Sequence, residues 1–534
     1  MSHFGIGTET TIDQLIVRWP SGNVDLINNP SINQVITINE GDFPCTSSTT
    51  WDGTDWSNSI PDMFTTAVFE EDYTTSDVGS GSIDVCTCEV VLNKTLTIAA
   101  GDFLKTNKDI IVNGNLIVEH EGSVVQINDD ALVSNNGSII VRKLTPILSG
   151  TDFMILGNPM SAETREGVYG NGRRVLNHIT GNFVPNGAVG AGTENFVDDN
   201  NNNWGIHTGT LTLAEGYLVK PQAIGNPPVG GQFTLDYTLG TLNNGLINYP
   251  LLFNTTREDS PNMLGNPYAS AIDLDLFLSA NSLIDAVYYW QHITPPSNAF
   301  PGFNQLNYNL GDISIYNQGS GGTAAPNGGG IPTQFMASGQ GFGVKALGDG
   351  DAVFNNNMRV ISPNTDYRSL DISDRQRIWL DVKNNSYGLI SNMLVAFTEE
   401  ATDGFEGNFD SRRFDTPVSL YSILDSDEEL AIQGRSAFNE EQKVQLGFST
   451  MVEEVQTYSI SIRQIEGVDI SNATVYLYDN DLNIVANLSI GEYSFSSNAI
   501  QNSERFVLLF QDRVLASNDV AFQNIQLLPN PTTG

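Results

Sequence analysis

Basic side chains are scarce in this sequence. Lys and Arg number 24 against 62 Asp and Glu, for a formal net charge of -38. Such a surface repels phosphate backbones and anionic lipid, so nucleic acid is excluded as a partner. No run of about 18 apolar residues occurs, so no membrane insertion by a helix is expected. The five histidines, at 3, 120, 178, 207 and 292, are scattered. None forms the His-Glu-x-x-His pair that sets two zinc ligands on one helix face. A Gly-x-Ser-x-Gly elbow and a Gly-x-x-x-x-Gly-Lys phosphate loop are also missing. The many acids leave glycosidase carboxylate pairs open, because sequence does not give their separation. The expectation is a chain that is not an enzyme. Cysteine is limited to three residues, all between positions 45 and 88. Long stretches of helical period are nearly absent.

What is present is strand and turn chemistry. Hydrophobic residues make up 40% of the chain, enough for packed cores, and 50 glycines with many asparagines punctuate β-branched runs. A length of 534 residues exceeds one hydrophobic core. These features predict an all-β, multidomain protein: a short β-solenoid, then tandem duplicated β-rich modules, then an antiparallel β-sandwich.

The duplication is read from two matched landmarks. Leu264-Gly-Asn-Pro-Tyr-Ala-Ser-Ala271 echoes Met154-Ile-Leu-Gly-Asn-Pro-Met-Ser-Ala162, whose Leu-Gly-Asn-Pro core lies 108 residues earlier. Gly216-Tyr-Leu-Val-Lys220 and Gly341-Phe-Gly-Val-Lys345 follow in the same order, 125 residues apart. Ordered landmarks at matched spacing indicate a repeated unit. The 17 extra residues of the second copy fall in the glycine-rich loop 319–330.

In chain order, residues 1–44 alternate in strand period, with a turn at Pro20-Ser-Gly22. Residues 45–148 carry short strands broken by turns such as Asn113-Gly114 and Asn136-Gly137, the texture of a short solenoid. The repeat modules occupy 149–255 and 256–367. One helix is expected from Ser270 as its cap, over 272–280. Residues 368–515 alternate as a sandwich would. Residues 516–534 read as a linker into the motif Leu528-Pro-Asn-Pro-Thr-Thr-Gly534.

Two resemblances follow from these residues. His3-Phe-Gly-Ile-Gly7, Arg18-Trp-Pro-Ser-Gly22 and Ile38-Asn-Glu-Gly41 resemble the ASPIC/UnbV module, which usually follows an integrin-like β-propeller in secreted bacterial proteins. Residues 45–534 resemble large cargo proteins of the Bacteroidetes type IX secretion system. The blocks that carry this are Trp51-Asp-Gly-Thr-Asp-Trp-Ser57, Cys86-Thr-Cys88, Leu264 to Ile272, Ala337-Ser-Gly-Gln-Gly-Phe342 and Asn355-Asn-Asn-Met-Arg359. Ala401-Thr-Asp-Gly-Phe405, Arg505-Phe-Val-Leu508 and the terminal Pro-Asn-Pro motif complete the set. The resemblance implies an extracellular or cell-surface location, attached at the outer membrane, with the secretion machinery as a partner. It also implies that Pro529, Asn530, Pro531 and Gly534 open a C-terminal sorting signal that continues beyond Gly534. No signal peptide precedes His3, so either the protein is cytosolic or its N-terminus is not the native one. Because the chain also stops within the Pro-Asn-Pro motif, a piece cut at both ends is the favoured expectation.

Candidate sites follow. In an exported chain the cysteines meet an oxidising milieu, which predicts one disulfide between Cys45 and either Cys86 or Cys88. Asp403, Glu406 and Asp410 lie in an oxygen-rich, glycine-broken loop of the kind that holds Ca²⁺. Asp198-Asp-Asn-Asn-Asn-Asn203 and Asp479-Asn-Asp481 are looser versions. Tyr288, Tyr289 and Trp290 are candidates to stack on sugar rings, with Trp204 and the pair Trp51 and Trp56 as further choices. The leading expectation is a secreted, non-enzymatic structural or adhesin-like protein that contacts extracellular polysaccharide or other surface proteins. The alternatives are the non-catalytic tail of a larger exported enzyme, or a fibre subunit that self-associates through strand edges.

Overall fold

The computed structural model describes residues 45–150, 152–170, 174–220, 230–365, 375–498 and 501–511, with shorter stretches of the first 38. Strands dominate and helices are few. The chain divides into two units. The first comprises Met1–Val189, Asn195–Gln318 and Gly329–Asp371. The second comprises Gly190–Glu194, Gly319–Gly328 and the described residues after 372.

The first unit opens, after the hairpin Gln14–Arg18 with Val24–Asn28, on a solenoid of about five turns. One of its three faces runs through Ser47–Trp51, Thr65–Phe69, Thr87–Val90, Ile110–Val112 and Val133–Asn135, all parallel. The other faces stack Tyr73–Thr74, Thr95–Ile98, Asn115–Val118 and Ser138–Leu144, and Ile83–Val85, Phe103–Thr106 and Ser123–Gln126. Period-two alternation sends Leu96, Leu116 and Ile139 inward at the same level of successive coils, where each is fully buried. The two Asn-Gly turns stack one over the other. Asn136 Nδ2 donates to Asn113 Oδ1 at 3.0 Å, and a Cβ on Gly137 would strike the Gly114 carbonyl. Glycine is needed there because the coils approach closely, not because of φ.

Both ends of the stack are covered. At the first coil, Trp51-Asp-Gly-Thr-Asp-Trp-Ser57 folds back on its own strand. Ser57 N–H donates to the Thr50 carbonyl at 2.9 Å and Thr50 N–H to Ser57 Oγ at 3.0 Å. Asp52 Oδ1 accepts from Thr54 N–H and Asp55 N–H, both at 2.9 Å, which locks the turn. Trp56 then lies over Trp51, Phe69 and Tyr73 at centroid distances of 5.6, 5.4 and 5.9 Å. At the last coil, Thr234–Tyr237 pairs antiparallel with Ser138–Leu144. Val124 N–H donates to the Ala269 carbonyl at 2.7 Å, so the third face is closed by the second module. At these three places the strand edges that would template association are taken up by the chain itself.

The two modules contain sheets of one strand order. The first runs Met154–Leu156, Tyr217–Lys220, Arg174–His178, Trp204–Ile206. The second contains Pro261–Gly265, Gly341–Lys345, Ala286–Trp290 and Ile313–Asn317 in that same sequence. Every pair within these runs is antiparallel. Between them the modules exchange turns. Gly157 N–H donates to the Gly339 carbonyl at 2.8 Å, and Gly265 N–H to the Ala214 carbonyl at 2.9 Å. Leu156 bridges Gln340 while Leu264 bridges Glu215. These partners are related by the same two sequence offsets as the landmarks. At the centre the backbones touch: a Cβ on Gly157 would lie 2.8 Å from Gly265 Cα, and one on Gly265 2.5 Å from Gly157 Cα. The glycine of each Leu-Gly-Asn-Pro is thus the crossing point. The asparagine secures the turn: Asn158 Oδ1 accepts from Met160 N–H at 3.0 Å, and Asn266 Oδ1 from Tyr268 N–H at 3.1 Å.

The expected helix is present but begins later. It spans Leu274–Ala280, with Asp273 as its cap, accepting from Asp275 N–H at 2.8 Å and Leu276 N–H at 3.2 Å. Ser270 instead turns its hydroxyl to the Ala271 carbonyl inside the core, and 271–273 is a short strand. An aspartate in extended conformation one residue before the helix satisfies two orphan N–H groups, which Ser270 is too far upstream to reach.

In the second unit, the region expected as an antiparallel sandwich is one sheet bent back on itself until nearly closed. Its order is Ile484–Asn487, Tyr476–Asp479, Gln501–Leu509, Lys443–Thr450, Val418–Ile423, Glu429–Arg435, Leu389–Phe397, Gln376–Asn384, Gln456–Glu466, Tyr493–Ser497. All neighbours are antiparallel except Glu429–Arg435 on Leu389–Phe397. Ile378, Leu380, Phe448, Tyr458 and Phe506 fill its interior. The seam is held by side chains. Buried Asp479 pairs with Arg505 at 2.9 Å and accepts from the Tyr493 hydroxyl at 2.9 Å, while Arg505 Nη1 donates to the Ser496 carbonyl at 3.3 Å. The glycine-rich segment 319–328 packs on the sheet's outer face, where the Gly322 carbonyl accepts from Trp379 Nε1 at 2.9 Å and Thr323 Oγ1 meets Asn392 Oδ1 at 2.6 Å.

Candidate functional site

The second unit contains a pocket of about 590 Å³. Its floor is made where the ends of five strands meet, Ser411–Arg412, Val418–Ile423, Glu429–Arg435, Lys443–Thr450 and Gln501–Leu509. Arg412 opposes Leu430 across a bulge, Ile423 opposes Glu429, and Ser449 opposes Gln501. A bulge re-aims side chains, and here it lets Arg412 and the following Arg413 both reach the pocket wall.

Arg413 is 8% exposed and fully engaged. Its Nε donates to Glu429 Oε2 at 2.7 Å, Nη2 reaches the same oxygen at 2.7 Å, and the guanidinium lies 4.4 Å over the Tyr421 ring. Gln501 Nε2 donates to the other Glu429 oxygen. A buried pair of this kind holds geometry because removing either partner leaves a charge uncompensated. Burial, with Glu429 nearby, raises the Tyr421 hydroxyl above its ordinary pKa. Arg412 differs. Its guanidinium covers the Phe405 ring at 4.7 Å, and among the described residues it forms no ion pair.

Two turns complete the rim. In the first, Asp427 has φ 69°, the left-handed region that Asp tolerates, and its N–H donates to the Leu424 carbonyl at 2.9 Å. Glu428 follows and accepts from the Ser426 hydroxyl. In the second, Gly190 N–H donates to Asp415 Oδ2 at 3.0 Å and Glu194 N–H to the Arg413 carbonyl at 2.9 Å, which holds 190–193 against the wall. Across the lining, Asp415, Asp427, Glu428 and Glu429 face two guanidinium groups, one of them already paired. The arrangement offers acceptors and donors side by side in a polar hollow.

The residues singled out from sequence lie elsewhere. Cys45 and Cys86 are disulfide-bonded. Cys86 sits at the corner between Ile83–Val85 and Thr87–Val90 and turns out toward Cys45 and Phe64. Cys88, inside the strand, points into the solenoid core, and burial pushes its thiol up to about 12. The corner breaks the period-two relation that would have made the two cysteines equivalent.

Asp403, Glu406 and Asp410 do not converge on a cation. Asp403 faces Arg435 at 3.5 Å and Ser436, Glu406 accepts from Thr402 N–H at 2.7 Å, and Asp410 accepts from Glu406 N–H at 2.7 Å and Gly434 N–H at 2.9 Å. Among the described residues no group of three or more His, Cys, Asp or Glu is arranged to hold a metal. The carboxylates fold the loop instead, the ordinary use of Asp beside exposed backbone donors. Burial pushes the Asp410 carboxyl up to about 7, against the pull of its two backbone donors. Asp198 likewise accepts from Val184, Asn200 and Asn202 N–H at 2.9, 3.2 and 3.2 Å.

Tyr288 and Tyr289 are each 2% exposed, so neither offers a face to a sugar ring. Their strand lies between Gly341–Lys345 and Ile313–Asn317, with the Tyr288 hydroxyl accepting from Arg257 Nη2 at 2.9 Å. A strand covered on both faces buries consecutive aromatics, whereas alternation would have exposed one of them. Trp290 is half-buried and stacks on His292 at 4.9 Å, with Tyr308 edge-on at 4.9 Å. Lys345 is wholly buried and ion-paired to Glu258, over the Phe196 ring at 4.8 Å, while Lys220 lies 5.7 Å over Phe153. The landmark lysines therefore serve packing. Pro529, Asn530, Pro531 and Gly534 lie outside the described residues. Sequence reasoning missed the pocket, although adjacent Arg412 and Arg413 in so acidic a chain were a signal.

Fold and site together describe an all-β protein with a solenoid, two antiparallel sheets joined at a glycine crossing, and a nearly closed sheet that carries a polar pocket. A family model described as a domain of unknown function, DUF8693, matches residues 43–510, and the chain belongs to that family. A second model, ASPIC and UnbV, matches residues 1–44 and gives the N-terminal segment its class. No curated protein and no solved structure matches the chain.

Proposed function

We propose that this chain is an extracellular, non-enzymatic β-scaffold whose role is contact with other surface molecules, in the manner of an adhesin. The observation that carries the reading is the Cys45–Cys86 disulfide. Disulfides persist in oxidising compartments outside the cytosol, and this one ties the corner after Ile83–Val85 to the residues just ahead of the first solenoid strand. The acidic surface suits a salty exterior where screening weakens self-repulsion. The terminal Pro-Asn-Pro motif supports delivery by a type IX system. The fibre alternative is weaker, because the chain's own segments already pair with the solenoid at Ser47–Trp51, Ser123–Gln126 and Ser138–Leu144, where strand-on-strand growth would otherwise proceed. An expression test discriminates. The complete gene, carried in a type IX-competent host, should place the protein where added protease digests it on intact cells. Protection of the protein from protease until the cells are lysed would overturn the reading.

A further inference from the structure

We infer that the pocket of the second unit binds a neutral saccharide. The inference rests on the extracellular-contact reading and names the ligand class of that site. At about 590 Å³ the hollow falls within the size range of small-molecule sites. Its chemistry selects among small molecules. Carboxylates of Asp427 and Glu428 accept hydrogen bonds, the Arg412 guanidinium donates them, and Ser449 does both. A hydroxyl group also donates and accepts, so a polyol satisfies a wall on which the two kinds alternate.

Charge narrows the class. Four carboxylates line the pocket against two guanidinium groups, and Arg413 is taken up by Glu429. A phosphate, sulfate or carboxylate would enter an uncompensated negative field. A compact cation would meet Arg412, which among the described residues forms no ion pair. An apolar or aromatic ligand would find no aromatic ring in the lining and would strip water from these carboxylates. The one large apolar contact is Met451, 54% exposed, whose flexible thioether adapts to the C–H face of a sugar. The walls are set beforehand. Glu429, Arg413 and Gln501 brace one another, the Asp427 turn is internally hydrogen-bonded, and Asp415 pins 190–193. Pre-organised polar groups reduce the ordering penalty on binding.

The test uses the purified chain against a panel of neutral oligosaccharides, containing hexose, deoxyhexose and N-acetylhexosamine units, beside uronate, sulfated and amino sugars. Binding of a neutral member should be seen by calorimetry. It should weaken about tenfold or more in Arg412→Ala and in Glu428→Gln, as expected for loss of one charge-assisted hydrogen bond. Glu428→Gln alters a turn at the rim and leaves the fold intact, so it reports on the site even if Arg412→Ala lowers the melting temperature. Binding of only anionic or only cationic sugars, binding untouched by both variants, or no binding to any neutral member would overturn the inference. Failure here with the protein still digested on intact cells removes the ligand assignment and leaves the location standing; a protected protein that binds the sugar does the reverse.

Discussion

Gly265→Ala should break the joint between the two modules. The added methyl would lie 2.5 Å from Gly157 Cα, 3.0 Å from the Glu215 carbonyl oxygen and 3.1 Å from Gly157 N. Carbon atoms in contact prefer about 3.5–4.0 Å, so the two chains must separate by about 1 Å. All three obstacles are backbone, and none can rotate aside. Three hydrogen bonds cross at this place, from Gly157, Gly216 and Gly265, at 2.8 to 3.0 Å. Weakening them adds to the overpacking penalty, for a loss of about 3–5 kcal/mol. Urea melts followed by tryptophan fluorescence and circular dichroism provide the assay. The control is Gly181→Ala, which has no atom within 4 Å of the added carbon and no positive φ. It should stay within about 0.5 kcal/mol of the parent, or gain slightly from the lower entropy of its unfolded chain. Equal stability of Gly265→Ala and Gly181→Ala would refute the crossing.

Other outcomes are expected. Reducing Cys45–Cys86, or replacing both residues by Ser, opens a loop of sequence separation 41 and should lower stability by about 4 kcal/mol on the chain-entropy account, read from melts with and without reductant. His178 is held by burial at about 3, below its value in the unfolded chain. Protons therefore bind the unfolded state first, and stability falls as pH drops below the usual histidine pKa. By pH 5 the loss relative to pH 8 is about 2 kcal/mol, and His178→Gln should abolish that component of the urea-midpoint shift. Asp410 has the opposite sign: with its carboxyl at about 7, the folded state takes up a proton as pH falls from 8 to 5 and gains stability. Asp410→Asn should remove that gain and make the acid side of the profile steeper. Because the carboxylates of 403–410 are committed to backbone donors and Arg435, adding Ca²⁺ should leave the melting temperature where EDTA leaves it.

Local signals in the sequence reached local structure. The alternation of Leu116-Ile-Val118 and its neighbours forecast strands, and the Asn-Gly turns forecast coils, because both are decided within a few residues. The repeated Leu-Gly-Asn-Pro was visible as a pattern. Its cause was not, since Gly157 needs Gly265 beside it and that contact spans the whole first module. Tyr288 and Tyr289 misled because aromatic strands look alike whether one face or both are covered. Asp403 to Asp410 misled because a carboxylate that caps N–H groups and one that holds a cation have the same spacing. The pocket draws on positions near 190, 412, 428, 449 and 501, brought together only when the last sheet closes. No window of sequence contains it. The Trp51 to Ser57 motif was noticed as a family block, yet its role as the solenoid's lid depends on Phe69 and Tyr73 one coil away.

Attachment tests the central claim most directly. A strain lacking the gene should attach to its natural surface less than the parent, and complementation with the complete gene should restore attachment while the protein remains digestible by protease on intact cells. Attachment equal in the parent and the deletion strain, with the protein demonstrably at the surface of the parent, would contradict the account of this chain as a contact scaffold.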